Sequence, residues 1–85
     1  MSTTIYRFTA SWCQPCKALT AMLANMTLEH PMRVVDIDKE PELVKEFQVR
    51  GVPTLIQMKD GKPVSRLVGA VTQLELDNWL ATAKS

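Results

Sequence analysis

The chain has 85 residues, of which 46% are hydrophobic and 22% charged, and its net charge is +1. That balance belongs to an ordinary soluble globular domain and excludes a strong electrostatic pull toward nucleic acid or an anionic membrane surface. A domain of this size buries only roughly 60–65% of its unfolded surface, so a single domain over 1–85 is expected in which every apolar segment contributes. No stretch reaches the roughly 20 apolar residues of a membrane span. The start Met1-Ser2-Thr3-Thr4-Ile5 lacks the basic and apolar regions of a secretory signal, and a cytoplasmic location is the expectation.

In chain order, Thr4 to Thr9 are rich in β-branched and aromatic residues and predict a first strand ending at Ala10-Ser11. The only two cysteines follow at once, in Trp12-Cys13-Gln14-Pro15-Cys16-Lys17, at the junction of a strand pattern and a helical one. At a helix start the first sulfur lies beside unsatisfied backbone N–H groups and the positive end of the helix dipole, which favours thiolate over thiol. The second sulfur sits one turn deeper, where it closes a small ring with the first, so the pair suits thiol–disulfide exchange. In a reducing cytosol such a lone pair points to catalysis or metal binding over a permanent bridge.

Leu19, Met22, Leu23 and Met26 form a one-sided stripe that predicts a helix running to about Glu29-His30-Pro31, with Pro15 in its first turn. His30 then reads as a C-terminal residue facing the helix dipole, and Lys17 as a solvated first-turn residue. Arg33 to Ile37 predict a second strand, parallel to the first because a helix of about a dozen residues separates them. Cys13 thereby falls beyond the carboxyl end of a strand, where open α/β sheets gather their ligand sites.

Pro41 opens a short helix with Leu43, Val44 and Phe47 directed inward, closing around Val49-Arg50-Gly51. Thr54–Met58 and Val64–Val68 flank Lys59-Asp60-Gly61-Lys62, a hairpin signal that makes these strands antiparallel. Thr72-Gln73-Leu74-Glu75 has the pattern of a capping box and starts a terminal helix with Leu76, Trp79, Leu80 and Ala83 on one face. The order is βαβαββα, an α/β fold with a four-stranded mixed sheet flanked by helices.

Three segments in order, Phe8 to Lys17, Val49-Arg50-Gly51-Val52-Pro53-Thr54-Leu55 and Val68-Gly69-Ala70, resemble the thioredoxin family. The resemblance runs from about Thr4 to Ala83 and is to a short form, as in some phage and archaeal thioredoxins, without the strand and helix that precede the active-site strand in longer members. It implies a thioredoxin-like fold in which 33–37 is a sheet edge, with Arg33 and Asp36 available to guard it. It implies a thiol–disulfide oxidoreductase that reduces protein disulfides, with Cys13 as attacking thiolate and Cys16 as resolving thiol. It implies no cofactor beyond the Cys13–Cys16 disulfide, a monomer, recycling by thioredoxin reductase, and ribonucleotide reductase among the possible substrates. If the chain is phage-encoded, the host cytoplasm is its expected location.

The resemblance also assigns surroundings to the pair. Pro53 is expected to follow a cis peptide and lie against the cysteines, where the plain alternative is a loop proline before a strand. Val52 would pair with extended substrate backbone, and Gly69 would line the apolar rim. Trp12 would flank the sulfur with its N–H on Asp38, against the alternative of a core aromatic. Gln14 replaces the family's usual glycine and alters access and hydrogen bonding at the sulfurs, whereas Pro15 keeps the linker stiff.

Arg7 is the departure, because thioredoxins carry a buried acid six residues before the first cysteine. A guanidinium about 8 Å from a sulfur favours its thiolate by roughly 2 kcal/mol at an effective dielectric near 20, over one pKa unit. Arg7 is therefore expected to lower the cysteine pKa values and make the protein a weaker reductant, unless it snorkels outward or pairs with Asp36.

The size and the cysteine pair also fit three other classes. A glutaredoxin shares size and pair, but Trp12 and the absence of a Gly-Asp glutathione pocket after Val68-Gly69-Ala70 argue against it. Zinc asks for about four ligands, whereas the chain offers two cysteines and the distant His30. A non-catalytic thioredoxin-fold binding module is the third.

Overall fold

Strand β1 (Thr3–Thr9) lies beside β2 (Met32–Asp36) in parallel, from Ile5 opposite Met32 to Thr9 opposite Asp36. The computed structural model describes residues 2–83; the expected domain over 1–85 and the reading of the chain start include Met1, Lys84 or Ser85, which lie outside the described residues. On its other side β1 pairs antiparallel with β3 (Thr54–Lys59), which pairs antiparallel with β4 (Lys62–Val68). The sheet order is β2-β1-β3-β4, so 32–36 is an edge as expected.

The hairpin turn is Asp60-Gly61, with φ of 52° and 81°, and it brings Lys59 opposite Lys62. Two successive left-handed residues twist the chain in the sense that antiparallel neighbours need, and glycine takes the second at no steric cost. The register slips between Gln57 and Met58, where β4 accommodates an extra residue around Pro63 and Val64. A proline is tolerated there because β4 is an edge strand with no ladder partner on one side.

Three helices cover the sheet: α1 (Gln14–Ala24), α2 (Pro41–Glu46) and α3 (Gln73–Ala81). Alternation along β1 sends Ile5 to one face and Phe8 to the other. Ile5 packs with Leu19 and Leu23 of α1, Leu55 of β3, and Leu76 and Trp79 of α3. Phe8 packs with Val35, Ile56, Met58 and Phe47, which follows α2. The central strands are thus buried on both faces, and each fully buried Ile, Leu or Phe contributes about 1.5–3 kcal/mol relative to exposure.

The α2 face is roofed by aromatic and cationic groups because its helix is only six residues long. Phe47 meets Tyr6 and Phe8 edge to face, at centroid distances of 5.6 and 6.2 Å. Arg33 lies 5.5 Å over the Tyr6 ring and pairs with Glu40 at 2.7 Å, while Arg66 of β4 donates to the Phe47 carbonyl. Of the two edge charges expected on β2, Arg33 is thus held against the sheet face, and Asp36 accepts the Asp38 N–H.

On the other face the buried Gln57 donates to the Trp79 carbonyl at 2.9 Å, and the Trp79 indole donates to Ser65 at 2.8 Å. These bonds tie the end of α3 to the hairpin. The capping box forms as the sequence reads, with Thr72 Oγ1 accepting the Glu75 N–H and Glu75 accepting the Thr72 N–H.

One boundary differs. Helix α1 ends at Ala24, with Asn25 as its cap, and not near Glu29-His30-Pro31. Met26 and Leu28 still pack on the Ile5 cluster, but from an irregular segment, so the apolar period outlasts the helix. His30 is therefore not at a helix C-terminus; its Nε2 lies 3.3 Å from the Ala83 carbonyl. The shorter differences are that β1 begins at Thr3, β2 runs 32–36, and α2 ends at Glu46 with Phe47 as its cap.

Candidate active site

β1 ends at Thr9, the buried Ala10 follows, and the chain turns so that Cys13 becomes the N-cap of α1. Cys13 has extended backbone (φ −92°, ψ 111°), and its Sγ accepts the N–H of Cys16 at 3.2 Å. The sulfur thus takes the place that a Ser or Asp oxygen fills at most caps, against an otherwise unpaired first-turn donor. A thiolate there gains from the same hydrogen bond and from the positive end of the helix.

Pro15, in the first turn, has no N–H to leave unpaired. Cys16 sits deeper, 1% exposed, and the two cysteines are joined as a disulfide with Cα atoms 5.2 Å apart, inside the ordinary range for such bridges. Gln14, Pro15 and Lys17 are exposed on the outer side of the turn.

Ala10, Ile37 and Val52 pack around the pair. The Val52–Pro53 peptide is cis, and Pro53 is buried. Thr54 Oγ1 donates to the Gly51 carbonyl at 2.7 Å, and the Gly69 N–H donates to the Pro53 carbonyl at 2.9 Å. Gly69 has φ of 88°, a left-handed conformation that suits a residue without Cβ at the end of β4. The structure therefore packs Val52 against the cysteine pair and ties Gly69 to Pro53, the residue that follows Val52.

Trp12 is 63% exposed, so it is not a core aromatic, and its indole N–H donates to Asp38 Oδ2 at 3.0 Å. Asp38 is placed by its own N–H on Asp36 Oδ1 at 2.9 Å. Val68 is exposed on the other side of Gly69. The exposed Trp12 ring thus adjoins a nearly covered sulfur.

Arg7 lies on the face of β1 that carries Ile5, beneath α1. It neither pairs with Asp36 nor extends freely into solvent. Its Nη1 donates to Thr20 Oγ1 at 2.9 Å, and Thr20 Oγ1 donates to the Cys16 carbonyl at 3.0 Å. Its Nε is buried without a partner, and desolvation pulls its pKa below the ordinary arginine value. Among the described residues the ion pair is Arg33–Glu40, so Arg7 has no carboxylate partner.

Sequence reading did not single out Thr20 or Ile37. Thr20 had a signal available, because a threonine four residues after Cys16 in a helix commonly bonds back to that carbonyl. Ile37 had none, since its contact with the cysteines depends on the parallel pairing of β1 and β2.

A sequence profile of the thioredoxin family matches residues 2–82. The chain belongs to the thioredoxin family. It is 40% identical over 70 residues to "Thioredoxin H5" of rice, covering 79% of this chain and 52% of that protein. It is 40% identical over 67 residues to a bifunctional thioredoxin reductase/thioredoxin of Mycobacterium leprae, covering 74% of this chain and 15% of that one. This thioredoxin-family chain thus spans about half the length of the rice relative and less of the bifunctional one. A mutant thioredoxin from Halobacterium salinarum superposes with a TM-score of 0.85 at 30% identity, over 99% of this chain and 76% of its own. Among the described residues no cluster of three or more His, Cys, Asp or Glu is arranged to hold a metal, and no helix is long and apolar enough to cross a membrane.

Proposed function

We propose that the chain is a thiol–disulfide oxidoreductase that reduces protein disulfides through Cys13 and Cys16. The observation that carries this reading is the N-cap position of Cys13, whose sulfur accepts the Cys16 N–H while Cys16 lies buried one turn below it. Only the upper sulfur adjoins exposed surface, and it is the one whose thiolate the helix start favours.

In the reduced protein the Cys13 thiolate attacks a substrate disulfide. A bond forms between Cys13 Sγ and one substrate sulfur, and the other substrate sulfur leaves as a thiolate and takes a proton from water. Cys16 then loses its proton and attacks Cys13 Sγ, forming the intramolecular disulfide and expelling the second substrate thiolate, which is protonated in turn. The substrate gains two electrons and the cysteine pair loses them. The exposed Trp12 indole, the Val52 backbone and Gly69 form the surface on which an extended substrate segment lies, with the buried Pro53 as its floor, and Gln14 and Pro15 limit approach from the outer side.

Recycling of the dithiol is assigned to a thioredoxin reductase, in keeping with the relative that carries a reductase and a thioredoxin in one protein. A labile pair of this kind suits a reducing compartment, the cytoplasm, and needs no metal or organic cofactor. The chain acts in this reading as one domain and as a monomer.

The test is reduction of a disulfide-bonded protein by the purified chain, supplied with electrons either by a flavin-dependent thioredoxin reductase or by glutathione. The expected result is turnover with the reductase, loss of activity in Cys13→Ser, and accumulation of a substrate-linked species in Cys16→Ser. Efficient turnover with glutathione alone would assign the chain to glutaredoxin chemistry instead. No turnover with either donor would leave a binding module as the reading.

A further inference from the structure

The resolving sulfur has an energetic difficulty that the attacking one does not. Cys16 is 1% exposed within the buried cluster of Ala10 and the two cysteines on which Ile37 and Val52 pack, so its ionisation is opposed by desolvation. Cys13 has the N–H of Cys16 as a donor, but among the described residues no donor reaches Cys16 Sγ. Yet Cys16 must become a thiolate to release the substrate.

Position 7 supplies no base. A guanidinium has five donors and no acceptor, and it stays protonated. What Arg7 has is a charge, partly shielded from water, without a carboxylate to neutralise it, and two hydrogen bonds away from Cys16 through Thr20.

The other ionisable groups around the pair are arranged differently. Asp36 and Asp38 stand at the end of β2; Asp38 receives the Trp12 indole and Asp36 the Asp38 N–H. Their negative charges oppose ionisation of the sulfurs. Lys17 on α1 and Arg50 before the cis peptide are exposed, where solvent and salt screen them. Cys13 is bonded to the substrate at the step in question and carries no charge. Arg7 is thus the cation that β1 contributes beneath the helix carrying the pair.

We propose that Arg7, anchored by Thr20, is a positioning cation that favours the thiolate of Cys16 in the reduced protein and in the mixed disulfide. The inference rests on the redox reading above for its kinetic consequence, though not for its electrostatics. In the resolving step the Cys16 proton passes to water, the thiolate attacks Cys13 Sγ, the bond between Cys13 and the substrate breaks, and the substrate thiolate takes up a proton. Arg7 exchanges no proton; it shifts the pH at which the step runs.

The decisive experiment isolates one thiol. In a Cys13→Ser background, thiolate absorbance of Cys16 is titrated with Arg7 intact and as Arg7→Met, Arg7→Lys and Thr20→Val. Arg7→Met is expected to raise the Cys16 midpoint by about one pH unit, the size of shift that a unit charge produces at several ångströms in a partly screened site. Arg7→Lys is expected to retain most of the wild-type midpoint, and Thr20→Val to move it in the direction of Arg7→Met by a smaller amount.

The kinetic counterpart is single-turnover release of substrate from the mixed disulfide, with Cys13 present. Arg7→Met should slow it about tenfold at pH 7 and shift its pH profile upward by the same unit. Unchanged midpoints in Arg7→Met and Thr20→Val would overturn the proposal, as would a slowing that is equal at every pH, which marks a structural role. Should Arg7→Met fail to fold, Thr20→Val alters an exposed hydroxyl and decides the matter alone. The titration needs no substrate, so shifted midpoints in a protein that reduces nothing would count against the redox reading and not against the electrostatic one.

Discussion

The Trp12 indole N–H and the Asp38 carboxylate meet at 3.0 Å across the gap between the loop before α1 and the segment after β2. The bond holds a largely exposed ring beside Cys13, and the carboxylate is itself held by the turn that starts at Asp36. A hydrogen bond to a charged acceptor contributes about 1.5–3 kcal/mol at best and less when exposed. Asp38→Ala should therefore leave folding stability within about 1 kcal/mol of wild type. It should lower kcat/KM for protein disulfides roughly threefold to tenfold, mainly through KM, because the docking surface loses its fixed orientation. Asp38→Asn keeps an acceptor and should lose less; steady-state kinetics of the two variants check this.

Gln57 predicts a stability effect of a different kind. Its side-chain amide is buried and donates to the Trp79 carbonyl and to Thr82 Oγ1, so Gln57→Leu removes both bonds, while the carbonyl keeps the Thr82 N–H and hydroxyl as donors. With no acceptor left unpaired, the cost is that of ordinary intramolecular hydrogen bonds, about 0.5–1.5 kcal/mol. Urea unfolding should show that loss, and hydrogen exchange should show faster opening of the last turn of α3 than of α1.

Phe47 carries a disproportionate share of the α2 face. It meets Tyr6 and Phe8, and its carbonyl accepts from Arg66. Phe47→Ala should cost about 3–5 kcal/mol, a large part of the roughly 5–15 kcal/mol that holds a small domain folded. Arg66→Ala should cost less, since it removes one hydrogen bond of an exposed side chain and none of the ring packing. Chemical denaturation of both variants gives the comparison.

The capping box predicts a pH dependence. The Thr72 N–H bonds to the Glu75 carboxylate and holds its pKa below the usual glutamate value. A depressed folded-state value means that the group adds stability above its unfolded pKa, and that this contribution is lost as pH falls through the folded value. Glu75→Gln should therefore be less stable than wild type at neutral pH, with the difference shrinking as the solution is acidified below the carboxylate range. Thermal unfolding of the pair across pH 2–7 reads it directly, and a difference independent of pH would show that the charge is not involved.

What was legible in the sequence is what short-range chemistry controls. The order of elements followed from periodicity, the Asp60-Gly61 turn from its need for two left-handed residues, and the Thr72–Glu75 box from the reach of two side chains over one turn. The cysteine pair could be placed at a helix start because Pro15 and the apolar stripe behind it are local signals.

Other features needed the assembled sheet. The end of α1 comes earlier than the apolar period implies because Met26 and Leu28 satisfy the same apolar cluster from irregular backbone, and burial does not distinguish a helix from the loop that continues its stripe. His30 moved with that boundary, from an expected helix end to the Ala83 carbonyl. The direction of Arg7 was open for the same reason. The sequence allowed the sulfurs, the solvent or Asp36 as its direction, and the packing of α1 on β1 gave it the Thr20 hydroxyl instead. Turn, cap and period act within a few residues, so the sequence by itself determined them; where a half-buried charge points depends on groups distant in the chain, and that only the tertiary structure decided.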